Sequence, residues 1–524
     1  MADYAEMPSE REKKEMEVWK YKKYICQVKT IDIVTGKKII VLNDSEAMQN
    51  EIYPGNRVGL RIRGEDHTAI VDLSSEMVKA GEIGVFKDVA KELELSDGDI
   101  IEIQHLPTPV SLESIKKKLD GNELSKEEIE SVINDLMANK LAEPELATWI
   151  ASTYIRGMSD RETVALTESI AASGEMLRLG KTPIVDKHCV GGVAGNRTTM
   201  VVVPIVAAAG LYIAKTSSRA ITSAAGTADT MEVLANVNIK MNELREIVNN
   251  VHGAIVWGGG INIASADDHL IRIRRPLGLD PKGILLASIL AKKKAVGAEY
   301  VVIDIPVGMG AKVENIEKAK ALANDFIKIG KMVGMNIDVL ITEGSEPVGN
   351  GIGPALEARD VMQVLEGRGP EDLKNKSLLL AGKLLEMSGK VAKGDGYAVA
   401  EHFILSGKAL KKMREIIEAQ GGDPTITSDS IPLGEHKYSV KAERSGKIAH
   451  IDNKIISKIA RATGAPMDKG AGIYLYRMKG DKVEKGDILF DIYAESEEKL
   501  DFAIKALDAW YPIEFQRVLL GEIS

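Results

Sequence analysis

Residues 215–232, KTSSRAITSAAGTADTME, gather small and hydroxylated side chains (Thr216, Ser217, Ser218, Thr222, Ser223, Gly226, Thr227) around one cation, Arg219. An apolar run, GLYIAK, precedes them, and TMEVLANV, with helical spacing, follows. A strand, a small-residue loop and a helix start bring backbone N–H groups and hydroxyls to one spot, which is what phosphate binding requires. A hydroxyl-rich turn alone serves equally well as a cap. A second loop of the same design lies upstream, in PIVDKHCVGGVAGNRTT (183–199): a strand ending near Asp186, a glycine-rich loop, and a helix from Thr198. Gly191, Gly192 and Gly195 let the backbone approach an anion closely. Lys187 adds a point charge, and Thr198 and Thr199 add hydroxyls at the helix start. Two anion cradles after neighbouring strands exceed what packing alone needs.

These residues carry a family resemblance. Ser217–Glu232 resembles the signature S-x-R-x-x-x-x-x-x-G-T-x-D-x-x-E of the thymidine and pyrimidine-nucleoside phosphorylases. Asp186–Gly192, DKHCVGG, resembles their phosphate loop D-K-H-S-x-G-G, with Cys189 in place of the serine. A thiol is a poorer donor than a hydroxyl, so that phosphate contact is weakened. The resemblance runs from about Leu112 to the C-terminus.

The bulk properties narrow the class. With 524 residues and 44% apolar content the chain can fill several cores. A net charge of -9 argues against nucleic-acid and polybasic membrane partners. Two cysteines, Cys26 and Cys189, make no disulfide framework. The charged lead 1–23 has no apolar core of a signal peptide. The longest apolar run, Met200–Ala214, holds Pro204 and Gly210 and is too short to span a bilayer. A cytoplasmic protein is expected.

The elements fall into a multidomain α/β chain. Strand-like runs between Tyr24 and Leu106, with a helical piece at Lys87–Leu95, form an N-terminal β-rich domain (1–106, with the charged lead). Amphipathic helices starting at Ser111, Ser125, Glu143 and Asp160 form a small helical domain (107–178 plus 262–298), with a capping box at Ser125, with Ser159–Asp160 capping the last helix, and with Trp149, Tyr154 and Met158 as core. Strand and helix then alternate in a large α/β domain with a mostly parallel sheet (179–261 plus 299–428). A strand-rich C-terminal α+β, barrel-like domain follows (429–524).

Phosphorolysis of an N-glycosidic bond needs no protein nucleophile, because phosphate itself attacks the sugar carbon. The resemblance implies phosphate or nucleotide contacts from Lys187, Gly192, Thr199, Ser218, Arg219, Ala220, Ile221, Thr222, Ser223 and Thr227. ASILAKK (Ala287–Lys293) resembles the family's base-contacting helix and implies Ser288 and Lys292 as base ligands. Arg272, Arg274 and Arg275 lie near the place of a base-binding arginine, but none falls on the register. Two proton donors compete: His188, which titrates near neutrality, and Asp280 in LDPKG, whose other reading is a helix N-cap before proline. Lys312, in GMGAK, is a cation at a glycine-rich helix start and suits a second phosphate. With the N-terminal extension it points to the AMP-phosphorylase branch: AMP (or another nucleoside monophosphate) and phosphate as substrates, no cofactor, no metal, and a homo-oligomer. The alternatives are a pyrimidine-nucleoside phosphorylase, a magnesium-dependent phosphoribosyltransferase of the anthranilate type, and a non-catalytic nucleotide-binding module.

Overall fold

The computed structural model describes residues 23–106, 108–220 and 223–516; the charged lead, Ile221, Thr222 and the last eight residues lie outside the described residues. The chain divides into two compact units, Met1–Ser173 with Ser265–Leu285, and Gly174–Ala264 with Leu286–Ser524.

The first unit begins with a closed six-stranded barrel. Its strands are β1 (Lys23–Ile31), β2 (Ile39–Asn43), β3 (Arg57–Ile62), β4 (Glu65–Ser74), β5 (Glu82–Phe86) and β6 (Ile100–His105), in the order β1-β5-β2-β4-β3-β6. The β1–β5 and β2–β4 pairs are parallel. Alternation places Cys26, Val28, Ile40, Leu42, Leu60 and Ile103 in one apolar core. β5 escapes the sequence reading because EIGVF is short and shows no clear alternation.

Four helices follow, Ser111–Leu119, Lys126–Met137, Glu143–Arg156 and Asp160–Ala172. Ser125 closes its capping box as expected, and Ser159 caps the last helix with a second box. A buried ion pair, Lys118 Nζ to Glu162 Oε1 at 2.7 Å, ties the first of these helices to the last, and Leu124 N also donates to that carboxylate. Trp149 is fully buried, but Tyr154 is 56% exposed. It is not a core residue, because it lies on the solvent side of its helix beside Ile155. The barrel is fastened to these helices by Arg57–Glu145, by Lys37–Glu143 at 2.8 Å, and by Asn139 Nδ2 donating to Thr68 O at 3.3 Å. Ser265–Leu277 completes the bundle, and Lys282–Ala295 carries the chain across the division between the units.

The second unit is built on five parallel strands: β7 (Val185–Cys189), β8 (Ile213–Ser217), β9 (Gly253–Trp257), β10 (Tyr300–Val307) and β11 (Asn336–Glu343). β7 pairs with β10 and β10 with β11, while β8 pairs with β9. A parallel bridge from Ile184 to Tyr212 joins the two sets. The spatial order is therefore β9-β8-β7-β10-β11. The chain winds outward in one direction from β7 and in the other from β10, so the winding reverses between these two strands. In open parallel sheets the crevice outside the carboxyl ends at such a reversal is where ligands sit. The near-continuous apolar helix Thr198–Ala208 is buried under the sheet, as its sequence requires.

Beyond Leu433 come β13 (His436–Lys441), β14 (Gly446–Ile451), β15 (Gly472–Leu475), β16 (Lys482–Val483), β17 (Ile488–Ala494) and β18 (Ile513–Phe515), with helices Asn453–Ala462 and Glu497–Ala509. β12 (Gly351–Ile352) joins β15, so this region shares a sheet with the glycine loop 349–353. Asp360 Oδ2 holds that loop by accepting from the backbone N–H groups of Asn350 and Gly351, each at 2.7 Å. Burial, with Asp372 and Glu357 nearby, pushes its carboxyl up to about 7. The folded-state value lies above the unfolded one, so the folded chain holds the extra proton, and stability falls as pH rises from about 4 to 7. Asp360→Asn removes this dependence. The difference in stability between wild type and Asp360→Asn should change by on the order of 1–4 kcal/mol between pH 5 and 8, against wild type at the higher pH, as read by thermal melting.

Candidate active site

The loops after β7 and β10 meet at the reversal point. Gly192 has φ +95, and a Cβ placed there would lie 2.3 Å from the backbone N of Lys312. Only glycine permits both that conformation and that approach. The 190–197 loop and the 308–312 loop are thus in backbone contact.

Beneath them lies an unusual buried charge cluster. Lys187, Lys215, Lys293 and Lys376 are all buried, with Asp186 and Asp304 as the facing carboxylates. Lys293 Nζ donates to Asp186 Oδ2 at 2.6 Å, and Lys215 Nζ lies 3.9 Å from Oδ1. Lys187 Nζ donates to Thr198 Oγ1 at 2.7 Å and to Thr199 Oγ1 at 3.4 Å, the two hydroxyls at the helix start. Asp304 accepts from Thr342 Oγ1 at 2.6 Å, with Lys376 Nζ 3.3 Å from its other oxygen. Burial pushes the Asp304 carboxyl up, but Lys187, Lys376 and Thr342 together hold it below its usual range. Burial pulls Lys187 down, and burial with the neighbouring Lys293 pulls Lys215 well down. The cluster sets four lysines against two carboxylates, a balance that favours an anionic ligand over a cationic one.

His188, half-buried at the end of β7, is lowered well below its usual value by burial and then by Lys293, Lys215, Lys187 and Lys292. It is a neutral imidazole near pH 7. Burial pushes the Cys189 thiol up to about 11, and its Sγ accepts from Asn196 Nδ2 at 3.4 Å. Both residues lie on the strand itself, because β7 runs past Asp186 to Cys189 in register with Asp304.

The second cradle is organised by its acidic residues. Asp229 Oδ2 accepts from Ala220 N at 2.6 Å and from Gly226 N at 2.8 Å, drawing the loop back onto the helix Thr227–Met231. A Cβ on Gly226 would lie 2.6 Å from Ser218 O. Arg197 ties the two cradles together: it donates to Thr227 Oγ1 at 3.2 Å and to Ala225 O at 2.8 Å, and it pairs with buried Glu357.

Three comparisons with known proteins bear on this site. Residues 181–410 match the glycosyl transferase family a/b domain, 112–174 its helical bundle domain, and 447–514 the pyrimidine nucleoside phosphorylase C-terminal domain. The chain is 47% identical over 499 residues to a Pyrococcus furiosus protein named AMP phosphorylase, covering 95% of this chain and 99% of that one. An Archaeoglobus fulgidus protein named AMP phosphorylase 1 is 46% identical over 93% of this chain and 96% of its own. This chain belongs to the AMP phosphorylase family. The fold is also that of anthranilate phosphoribosyltransferase from Thermus thermophilus, with TM-score 0.51 and 20% identity over 59% of this chain and 99% of that one.

Set against the AMP phosphorylase resemblance, the residues expected as ligands divide. Lys187 and Thr199 are bonded within the cluster, Gly192 meets the 308–312 loop, Thr227 is held by Arg197, and Ser218, Ala220 and Ser223 lie on the second loop. Ile221 and Thr222 lie outside the described residues. Arg219 does something else: its guanidinium is held by Glu232 at 2.5 and 2.7 Å and by Asp229 at 3.3 Å, 5.0 Å above the Trp257 ring. Arg219 holds the Glu232 carboxyl down at about 2, with Lys469 assisting. The signature's arginine and glutamate therefore brace the loop.

Of the base helix, Ser288 is buried and Lys292 half-buried, but Lys293 is the lysine fixed on Asp186. The 3.6-residue period places Lys293 on the buried face and leaves Lys292, the expected base ligand, partly exposed beside it. Lys312 does not start a helix. Its loop closes through a bridge from Val307 to Val313, and the next helix begins at Ile316, capped by Asn315. Asp280 lies in the first unit, with its side chain 37% exposed and bonded to Arg274 Nη1 at 2.5 Å.

Lys215, Lys376, Asp304 and Arg197 escaped the sequence reading, since a buried lysine looks like a surface one until its neighbours are known. Gly192→Ala should abolish phosphate-induced thermal stabilisation and cut turnover at least about 100-fold, because its Cβ would part the two loops by displacing backbone, not a flexible side chain. The measurement is melting with and without inorganic phosphate, beside turnover.

Proposed function

We propose that this protein cleaves the N-glycosidic bond of AMP with inorganic phosphate, giving adenine and ribose 1,5-bisphosphate. The observation that carries the reading is the cation-rich buried cluster under two touching glycine loops, in a chain whose relatives over nearly its full length are named AMP phosphorylase.

A phosphate oxygen forms the new bond to the sugar carbon while the bond to the base nitrogen breaks, and the bonding pair leaves with the base. Lys187, Thr199 and the N–H groups of Gly191, Gly192 and Val193 hold the nucleophile, and Ser218 and Thr227 enclose it from the second loop. Holding the anion in line supplies most of the acceleration. Ser288 and Lys292 contact the base, and Lys312 takes the 5′-phosphate as a point charge on its glycine loop. Asp280 gives the departing base its proton; this role rests on the LDPKG resemblance. The neutral imidazole of His188 serves as an N–H hydrogen-bond donor, since four lysines disfavour its imidazolium. Phosphate is a co-substrate, and no metal or cofactor takes part. We further assign the enzyme to the cytoplasm, as a homo-oligomer; among the described residues no helix is long and apolar enough to cross a membrane.

Base release from AMP, CMP, UMP, adenosine and thymidine, each with and without phosphate, tests the reading. Phosphate-dependent release from nucleotides is the expected result. Release from thymidine or uridine alone would assign a pyrimidine-nucleoside phosphorylase instead, and binding without release a nucleotide-binding module. Asp280→Asn should lower kcat by roughly 10²–10⁴-fold. His188→Gln should keep the wild-type shape of the pH–rate profile between pH 6 and 8, where the imidazole stays neutral. A lost alkaline limb in the histidine variant, with Asp280→Asn fully active, would transfer the acid role to His188.

A further inference from the structure

The C-terminal region contributes one side chain to the loops of the sheet. Asn453 is the first residue of the helix Asn453–Ala462 and is only 2% exposed. It does not cap its own helix: Asp452 does that, accepting from Lys454 N and Ile455 N. The Asn453 carboxamide is instead turned to the carboxyl ends of the parallel strands. Its Oδ1 accepts from Ala194 N at 3.0 Å, inside the loop after β7, and its Nδ2 donates to Gly344 O at 3.1 Å, just after β11. A Cβ on Gly310, in the loop after β10, would be 3.8 Å from Asn453 Cβ. One carboxamide therefore bonds to the loops following β7 and β11, and the Cβ that carries it lies beside Gly310 in the loop after β10. The same strip is held again at its far end, where Glu346 accepts from Ile451 N at 2.9 Å and lies 2.8 Å from His450 Nδ1.

We propose that Asn453 is a positioning residue for the phosphate nucleophile: it fixes the Gly191–Gly195 backbone against the loop after β11, so that the loop's N–H groups face the anion before it arrives. This rests on the reading of that loop as the phosphate cradle. Ala194 N–H, once committed to Asn453, sets the orientation of the peptides on either side, and preorganised donors are worth more than donors that must reorient. Asparagine suits the position because it offers an acceptor and a donor on one short planar group. Aspartate keeps the acceptor but turns a carboxylate oxygen toward the Gly344 carbonyl, and alanine leaves both backbone groups buried and unmatched.

The test uses the full chain with inorganic phosphate and AMP. Asn453→Ala and the isosteric Asn453→Asp should each raise the KM for phosphate roughly tenfold, the equivalent of about one to two lost hydrogen bonds, while the KM for AMP stays within about twofold. The upward melting shift caused by phosphate alone should shrink in both. An unchanged phosphate KM and phosphate-induced shift in either folded variant would overturn the proposal. So would an equal worsening of both KM values with a lowered melting temperature, since that marks a merely structural residue. A wild-type protein that neither melts higher with phosphate nor consumes it with AMP would sink the phosphorylase reading itself, which separates the two failures.

Discussion

The second unit depends on a concentration of buried positive charge that its carboxylates do not match. Lys187, Lys215, Lys293 and Lys376 share Asp186 and Asp304 in a region from which water is largely excluded. Ammonium groups so placed repel one another and resist ionisation, which is why Lys187 and Lys215 are pulled down. An arriving anion relieves this repulsion directly.

The surrounding architecture restrains that charge. Reversal of the winding between β7 and β10 opens the crevice, and Asp186 and Asp304 come from those two strands. The glycine loops close over the cluster in backbone contact at Gly192. Around this centre the remaining polar groups act as braces. Arg197 joins the first cradle to the second, Asp229 folds the second onto its helix, and Glu232 gathers Arg219 and Lys469. The charged residues of the signature thus brace one another and the loop backbone.

Much of the fold was legible because local signals agree with the global arrangement. Ser125 announces its helix through the glutamate three residues on and Ser159 as a cap, and the barrel strands follow from alternation. The failures have equally specific causes. Tyr154 fits a helical period yet faces solvent, since period fixes a face and not its neighbour. TMEVLANV reads as a longer helix, but the helix stops at Met231, and the chain turns so that Asn236 N can donate to Gln420 O. Lys312 seemed to begin a helix because glycine loops commonly do, whereas here a β-bridge intervenes.

By itself the sequence determined that the chain has two small-residue loops after parallel strands, because glycine spacing, hydroxyls and flanking apolar runs are local properties that adjacent residues encode together. It determined the class of reaction through the motifs on those loops. Only the tertiary structure decided which charges matter. Lys293 meets Asp186, Arg219 is committed to Glu232, and burial, with the charges of four lysines from β7, β8 and the helix Lys282–Ala295, disfavours the imidazolium of His188. Burial and the distance between charges set these outcomes, and both depend on residues as far as 107 positions apart in the chain.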